Sequence, residues 1–335
     1  MIDGQLQIRV LSRQDEAADA WDAYVRRHPQ ATSDHVSAWR SILSGVFAFQ
    51  DYYLTSRFGD QIVGVLPLFS VSRGFRRAAL SSIPFSSYGG VLADSPDVAS
   101  MLIESAKSLA QENRAAYLEL RDRDCVVLNG LSSQRQYVRF SLPLRTTSDM
   151  QQGDALGAAS HAFLRTAEKQ GLSVVASQDT QALHAIHVQE THSLGKACFP
   201  KRYFDAILKA FGAASCVYYV RLNEKTLAYA LTIAFKETLN VQSMGILASA
   251  RELYPEQLLS RALCSEAKSR GLREVDYGRS RRDSACAVVK RRLRVVERPM
   301  GCHYYVPRGG SMPAREITEK QPWFERAWQR LLPNV

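Results

Sequence analysis

The chain has 335 residues, 46% apolar and 23% charged, an ordinary globular composition that excludes a wholly disordered polymer. No apolar stretch approaches the roughly 20 residues of a membrane-spanning helix, and MIDGQLQIRV lacks the layout of a signal peptide, so a soluble cytoplasmic protein is expected. The net charge of +10 points to anionic partners rather than to any particular fold.

In chain order, 13–27 and 36–47 are predicted as helices. Residues 52–69, YYLTSRFGDQIVGVLPLF, alternate β-branched and aromatic residues around a Gly-Asp turn and predict a hairpin. After a further strand come a helix at 101–113 and a strand at 116–120. The polar stretch 146–153 suits a link, and 155–170, 181–193 and 202–211 are predicted as helices. A second hairpin, YYVRLNEKTLAYALTIAF at 218–235, begins 166 positions after the first. It too precedes a strand, a helix (256–270) and a strand (274–277). Pro255 suits the first turn of that helix and Gly271 its exit, while Leu258, Leu259, Ala262, Leu263 and Ala267 form one apolar face. Residues 309–315 read as a loose stretch and 316–332 as a last helix with Trp323, Phe324 and Trp328 on one side. The recurring order predicts two related α/β units of mixed α+β type, divided as 1–147, 148–312 and a C-terminal helix 313–335.

The six cysteines (125, 198, 216, 264, 286, 302) form no CxxC pair and the seven histidines no HxxxH, so neither a metal site nor a disulfide framework is expected. GxSxG, Walker and GxGxxG motifs are absent, which removes the usual signals for a covalent hydrolase or a nucleotide-binding loop. Asp276-Tyr277-Gly278-Arg279-Ser280 lies where a strand ends, a position at which ligands dock on open α/β sheets. There Arg279 offers a planar fork for phosphate or carboxylate; a surface turn with a paired Asp and Arg fits the same spacing. From Arg273 to Arg308 ten basic residues face four acidic ones, six of the ten excess charges in the chain. Such density supports phosphate binding, on RNA or on a nucleotide-bearing donor, and nothing in it reads a DNA base sequence. Pro84–Gly90 (PFSSYGG) reads as a substrate loop or a wide turn. His192-Ser193-Leu194-Gly195 reads as a helix exit, with Phe199–Phe204 (FPKRYF) after it.

On GVLPL (64–68), LSSIPFSSYGG (80–90), HSLG with FPKRYF, the hairpin 217–235 and DYGRS followed by Lys290, the chain resembles the FemAB-related branch of the GNAT-fold acyltransferases. Its likeness is greatest to the FemAB-like proteins of exosortase-associated exopolysaccharide loci. The resemblance implies two tandem GNAT-like domains, with the C-terminal helix returning to the first. It implies transfer of an acyl or aminoacyl group, from aminoacyl-tRNA or acyl-CoA as co-substrate, to an amine of a cell-envelope glycan or peptide precursor. By that likeness Lys290 stabilises the oxyanion, with Asp276 or the substrate itself accepting the amine proton. Arg279, Ser280, Arg281 and Arg282 are the donor-binding candidates, and Tyr88, Gly89, Gly90, His192, Arg202 and Tyr203 the acceptor-binding ones. No permanently bound cofactor is implied. The sequence departs from the family where Phe-Lys precedes Trp-Gly, reading Val289-Lys290-Arg291-Arg292-Leu293-Arg294, and no RxxGxG/A pyrophosphate loop lies between Gly245 and Glu256. Two other readings remain: an acyl-CoA-dependent N-acyltransferase of a small amine, and a non-catalytic RNA- or polyanion-binding protein on the same fold.

Overall fold

The computed structural model describes residues 6–11, 18–73, 76–124, 128, 130–144, 167, 170–193, 198–293 and 295–312. The expected link at 146–153, nearly all of the expected helix 155–170, the C-terminal helix 316–332, Cys125, Gly195 and Arg294 lie outside them.

In chain order the elements are β1 (Leu6–Leu11), α1 (Ala18–Arg27), α2 (Ala38–Phe47), β2 (Gln50–Phe58), β3 (Gln61–Arg73), β4 (Arg76–Ser81), β5 (Leu92–Ala93), α3 (Pro96–Glu112) and β6 (Leu118–Asp122). Next come β7 (Ser132–Gln134), β8 (Tyr137–Pro143), β9 (Leu172–Ser177), α4 (Gln181–Ser193), α5 (Lys201–Phe211), β10 (Ser215–Leu222), β11 (Lys225–Phe235) and β12 (Thr238–Ile246). The last are α6 (Pro255–Ser269), β13 (Glu274–Arg281), α7 (Ala285–Arg291), β14 (Val296–Pro299) and β15 (Gly301–Tyr305).

Local chemistry accounts for the ends of these elements. Ser95 accepts a hydrogen bond from Val98 N–H and Pro96 follows it, so α3 starts five residues before the apolar pattern alone suggests. The helix expected at 36–47 is present but starts two residues later, at Ala38, after a 3-10 turn at Ser33–His35 capped by Thr32. Strand β11 is buried from Leu227 to Ile233, the pattern of a central strand covered on both faces.

The chain folds as two compact units, 1–137 with 299–335, and 138–298. The first holds a sheet in the order β1-β2-β3-β4-β6-β15-β7, with β5 beside β3. Its core gathers Leu54, Leu66, Leu80, Leu102 and Leu118 around α3. The second holds a sheet in the order β14-β8-β13-β12-β11-β10-β9, with Phe140, Val220, Ala228, Leu259, Leu263 and Val275 in its core. Each sheet therefore takes a strand from beyond its own stretch of sequence. Strand β15, which follows the whole second unit, pairs with β6 of the first. Strand β8, which precedes the link, lies beside β13 in the second. The observed division differs for that reason from the 1–147, 148–312 and 313–335 suggested by the order of elements. No helix among the described residues is long and apolar enough to cross a membrane.

Candidate active site

In the second unit β12 and β13 are parallel and pair over only three positions, Thr238↔Glu274, Leu239↔Val275 and Asn240↔Asp276. Both strands continue, to Ile246 and Arg281, with no further pairing between them. The parting has two local causes. A register shift opposite Leu231/Thr232 puts a bulge into β12, and bulges bend the strand that carries them. On β13, Gly278 takes a positive φ of 67°, a conformation that glycine adopts without the clash a Cβ would cause. The resulting gap opens at the carboxyl ends of two parallel strands, where α/β sheets bind ligands.

The DYGRS string forms the β13 side of the gap. Asp276 is 2% exposed, and its Oδ1 accepts the Gly278 N–H at 2.7 Å, which fixes the turn of the main chain there. Lys290 reaches back from the last turn of α7, a helix started by Ser284, whose hydroxyl accepts the Ala287 N–H. Its Nζ donates to Tyr277 O at 2.5 Å and Arg279 O at 3.0 Å, the carbonyls on either side of Gly278, and lies 5.6 Å from the Phe140 ring centroid. The ammonium is half-buried and held by main-chain dipoles and an aromatic face. Arg279 is half-buried, Ser280 buried, and Arg281 and Arg282 are exposed. Arg291 is turned away to Glu297 at 2.8 Å and Arg282 O at 3.0 Å, and its guanidinium holds the Glu297 carboxyl below the usual carboxylate range. Asp276, Arg279, Ser280 and Lys290 thus meet at one corner, and the exposed arginines continue from it.

The other predicted residues fall into two groups. His192 is exposed in the last turn of α4 and Arg202 is exposed at the start of α5. Tyr203 is buried, with its ring 5.0 Å from that of Phe199. In the first unit Tyr88 is 2% exposed, inside a cluster with Ala79, Tyr117, Tyr137 and Tyr304, and its N–H donates to Asp34 Oδ2 at 2.8 Å. Gly89 has φ of 108° and lies against Ile83, and a Cβ at Gly90 would run into Asp122 Oδ1. Positions 88–90 are thus closely packed within the first unit.

The first unit has an equivalent parallel pair, β4 and β6, joined at Leu80↔Leu118 and Ser81↔Glu119. Here no gap follows. Arg121, 2% exposed, donates to Ser82 O at 3.0 Å and to Ile83 O, and the loop through Gly90 runs onto Arg121 and Asp122. The two units are alike in topology and unlike at this position.

Sequence reasoning missed three residues on the β12 side of the gap: Ser243, Tyr229 and His187. Tyr229 Oη lies 2.9 Å from Ser243 Oγ and 3.3 Å from His187 Nδ1, partners 14 and 42 positions away, so no local motif carries the set. Burial, and next the negative charge of Glu190, push the Tyr229 phenol far above its ordinary value and keep it protonated. Among the described residues no group of three or more His, Cys, Asp or Glu is placed to hold a metal ion.

Residues 157–284 match the family described as Acetyltransferase (GNAT) domain. Among solved structures, FemX has the same fold with a TM-score of 0.67 at 13% identity, over 96% of this chain and 99% of that one. The C-terminal domain of a putative lysylphosphatidylglycerol synthetase from Agrobacterium fabrum matches with a TM-score of 0.60 at 14% identity, over 86% of this chain and 91% of that one. A tandem GNAT protein of the clavulanic acid biosynthesis pathway matches at 0.55 and 13% identity, over 90% of this chain and 98% of that one. No curated protein matches the chain in sequence. The chain therefore shares its fold with FemX and with a tandem GNAT protein, and the stretch that matches the acetyltransferase family lies within its second unit.

Proposed function

We propose that the protein transfers an activated acyl or aminoacyl group onto an amine of a cell-envelope or exopolysaccharide precursor, and that the chemistry belongs to the second unit. One observation carries this assignment. The parted strands of the second unit are bordered by a half-buried ammonium, whereas Arg121 and the 82–90 loop close the equivalent position of the first. The acceptor amine attacks the carbonyl carbon of a tRNA ester or a CoA thioester. The tetrahedral oxyanion then collapses, and the ribose oxygen or thiolate departs. Lys290 supplies positive potential to that oxyanion, and donors of this kind contribute about 2.7–4 kcal/mol of barrier lowering. We assign the amine proton to the leaving group rather than to Asp276, because Asp276 is buried with one oxygen already taken by Gly278 N–H. The half-buried Arg279 and exposed Arg281 and Arg282 hold donor phosphates, with Ser280 supporting the strand beneath them. The exposed His192 and Arg202 are the acceptor candidates within the same unit, with Tyr203 as their buried support. Tyr88, Gly89 and Gly90 enter this scheme as residues that shape the first unit's loop.

The donor decides between the two transferase versions. Acyl-CoA is favoured by the acetyltransferase-domain match, and aminoacyl-tRNA by the density of basic residues after β13. Thermal shift against a panel of CoA thioesters and charged tRNAs separates them, because a ligand that binds only the folded chain raises the melting temperature. Mass spectrometry of product with amine-bearing glycan and peptide acceptors then tests transfer. Salt-sensitive binding of RNA with no product from any donor is the outcome that replaces the transferase with a polyanion-binding protein.

A further inference from the structure

Ser243 stands three positions beyond the last β12–β13 pair, on the stretch where the strands have parted, and it is half-buried. A chain of hydrogen bonds runs to it from behind. The main-chain N–H of Phe199 donates to His187 Nε2 at 3.1 Å. A peptide N–H can only donate, so His187 Nε2 keeps its lone pair and the neutral ring carries its hydrogen on Nδ1. That hydrogen points to Tyr229 Oη at 3.3 Å, and the single phenol hydrogen is then directed to Ser243 Oγ at 2.9 Å. Among the described residues Tyr229 is the hydrogen-bonding partner of the Ser243 side chain, and with the phenol as donor in this relay Ser243 receives the bond. Its own O–H is left to donate outward.

The relay is held stiffly. His187 is 6% exposed, stacks on Phe199 at 5.4 Å and 7°, and meets Phe204 edge-on at 5.1 Å. Tyr229 is fully buried, and its cross-strand neighbour is Gly245. A Cβ at Gly245 would strike the Tyr229 ring and stand 2.8 Å from Glu190 Oε2, so only glycine lets that ring lie over β12. A hydroxyl that accepts from a phenol is polarised into a stronger donor.

We propose that Ser243 is a catalytic residue of the transfer site: its hydroxyl, turned into an oriented donor by His187 and Tyr229, hydrogen-bonds the acyl oxygen as it becomes the oxyanion. The inference rests on the transferase reading above. It places one donor on β12, across the gap from Lys290 on the β13 side. Ser243 keeps its proton throughout; the amine proton still leaves with the departing group. His187 and Tyr229 are positioning residues.

The test uses the full chain and the donor–acceptor pair identified by the panel. Ser243→Ala lowers kcat about 100-fold at nearly constant KM for the donor, the effect of deleting one oxyanion donor. Ser243→Thr, which keeps a hydroxyl, restores most of the rate. Tyr229→Phe releases the orientation and lowers kcat about tenfold, the scale of one hydrogen bond. Independently of turnover, the 15N shifts of His187 report a neutral Nδ1–H ring between pH 6 and 8. A wild-type rate in Ser243→Ala, a loss confined to KM, or an Nε2–H ring overturns the inference and leaves the transferase reading standing. A wild-type chain that consumes no donor overturns both.

Discussion

Lys290→Met keeps an unbranched chain only one atom shorter and removes the charge. In the native unit the ammonium ties Tyr277 O and Arg279 O together at 2.5 and 3.0 Å, across a glycine at φ of 67°. Hydrogen bonds from a charged donor contribute about 1.5–3 kcal/mol each. Because the site is half-buried, water takes up part of the loss, and a net destabilisation of about 2–4 kcal/mol follows. For a unit of this size each kcal/mol moves the melting point by about 2–4 °C, so a fall of about 5–15 °C is expected. Turnover falls by about 100-fold beyond any effect of unfolding, provided it is measured well below the variant's transition. Calorimetry gives the first quantity and single-turnover transfer the second. Lys290→Arg restores charge but replaces a compact three-donor head with a planar fork, so it rescues stability only in part. An unchanged melting point together with unchanged turnover in Lys290→Met refutes the reasoning at both levels.

Gly90→Ala drives a methyl group into Asp122 Oδ1 and to within 2.9 Å of Arg121 O, and it lowers the stability of the first unit by about 1–3 kcal/mol in denaturant titration. Donor binding by the second unit, read by thermal shift, is expected to stay as in the wild type. Glu256, buried at the start of α6, has its carboxyl raised above the ordinary value by desolvation, against smaller lowering by its own main chain and Arg292. The folded state then binds more protons than the unfolded one between about pH 4.3 and the folded value, so this group's contribution is full below that window and lost as pH rises through it. Glu256→Gln is expected to raise the melting temperature at pH 7 and flatten its pH dependence over the window; a lower melting temperature at pH 7 counts against the assignment. If the donor is an RNA, Arg281→Ala and Arg282→Ala each reduce the slope of log affinity against log salt by about 0.7, measured by titration at several salt concentrations.

Local signals carried much of the fold. The two hairpins are present, as β2–β3 and β10–β11, because alternation and turn formers act over a few residues. Helix 181–193 lies where periodicity puts it, and 256–270 is displaced by one residue to Pro255–Ser269. Membership of a sheet was not legible in the same way. Nothing in YVRFSLP or GCHYY says which strand each will pair with, since that choice is made by partners far away in the chain. The corner at Lys290 was half legible: DYGRS marks a strand end, but the bond to Tyr277 O depends on the sign of one glycine φ. Tyr88 and Tyr203 are acceptor candidates by resemblance, and their burial at 2% and 3% was not legible in the sequence, because an aromatic beside glycine or a cation looks the same whether its ring faces a ligand or a core.

Strand β15 has a consequence for how the protein is made. Tyr304 donates to Glu119 Oε1 across 185 positions of sequence, in the ladder that sets β15 against β6. At synthesis rates of about 5–20 residues per second, the ribosome needs roughly 10–40 s to deliver that strand after β6 has emerged. During that interval the nascent amino-terminal half carries a bare strand edge beside Leu118–Asp122, open to any other extended chain. Production from separately expressed halves is therefore expected to yield aggregates, whereas holdase chaperones that cover the β6 edge until β15 arrives favour the soluble form.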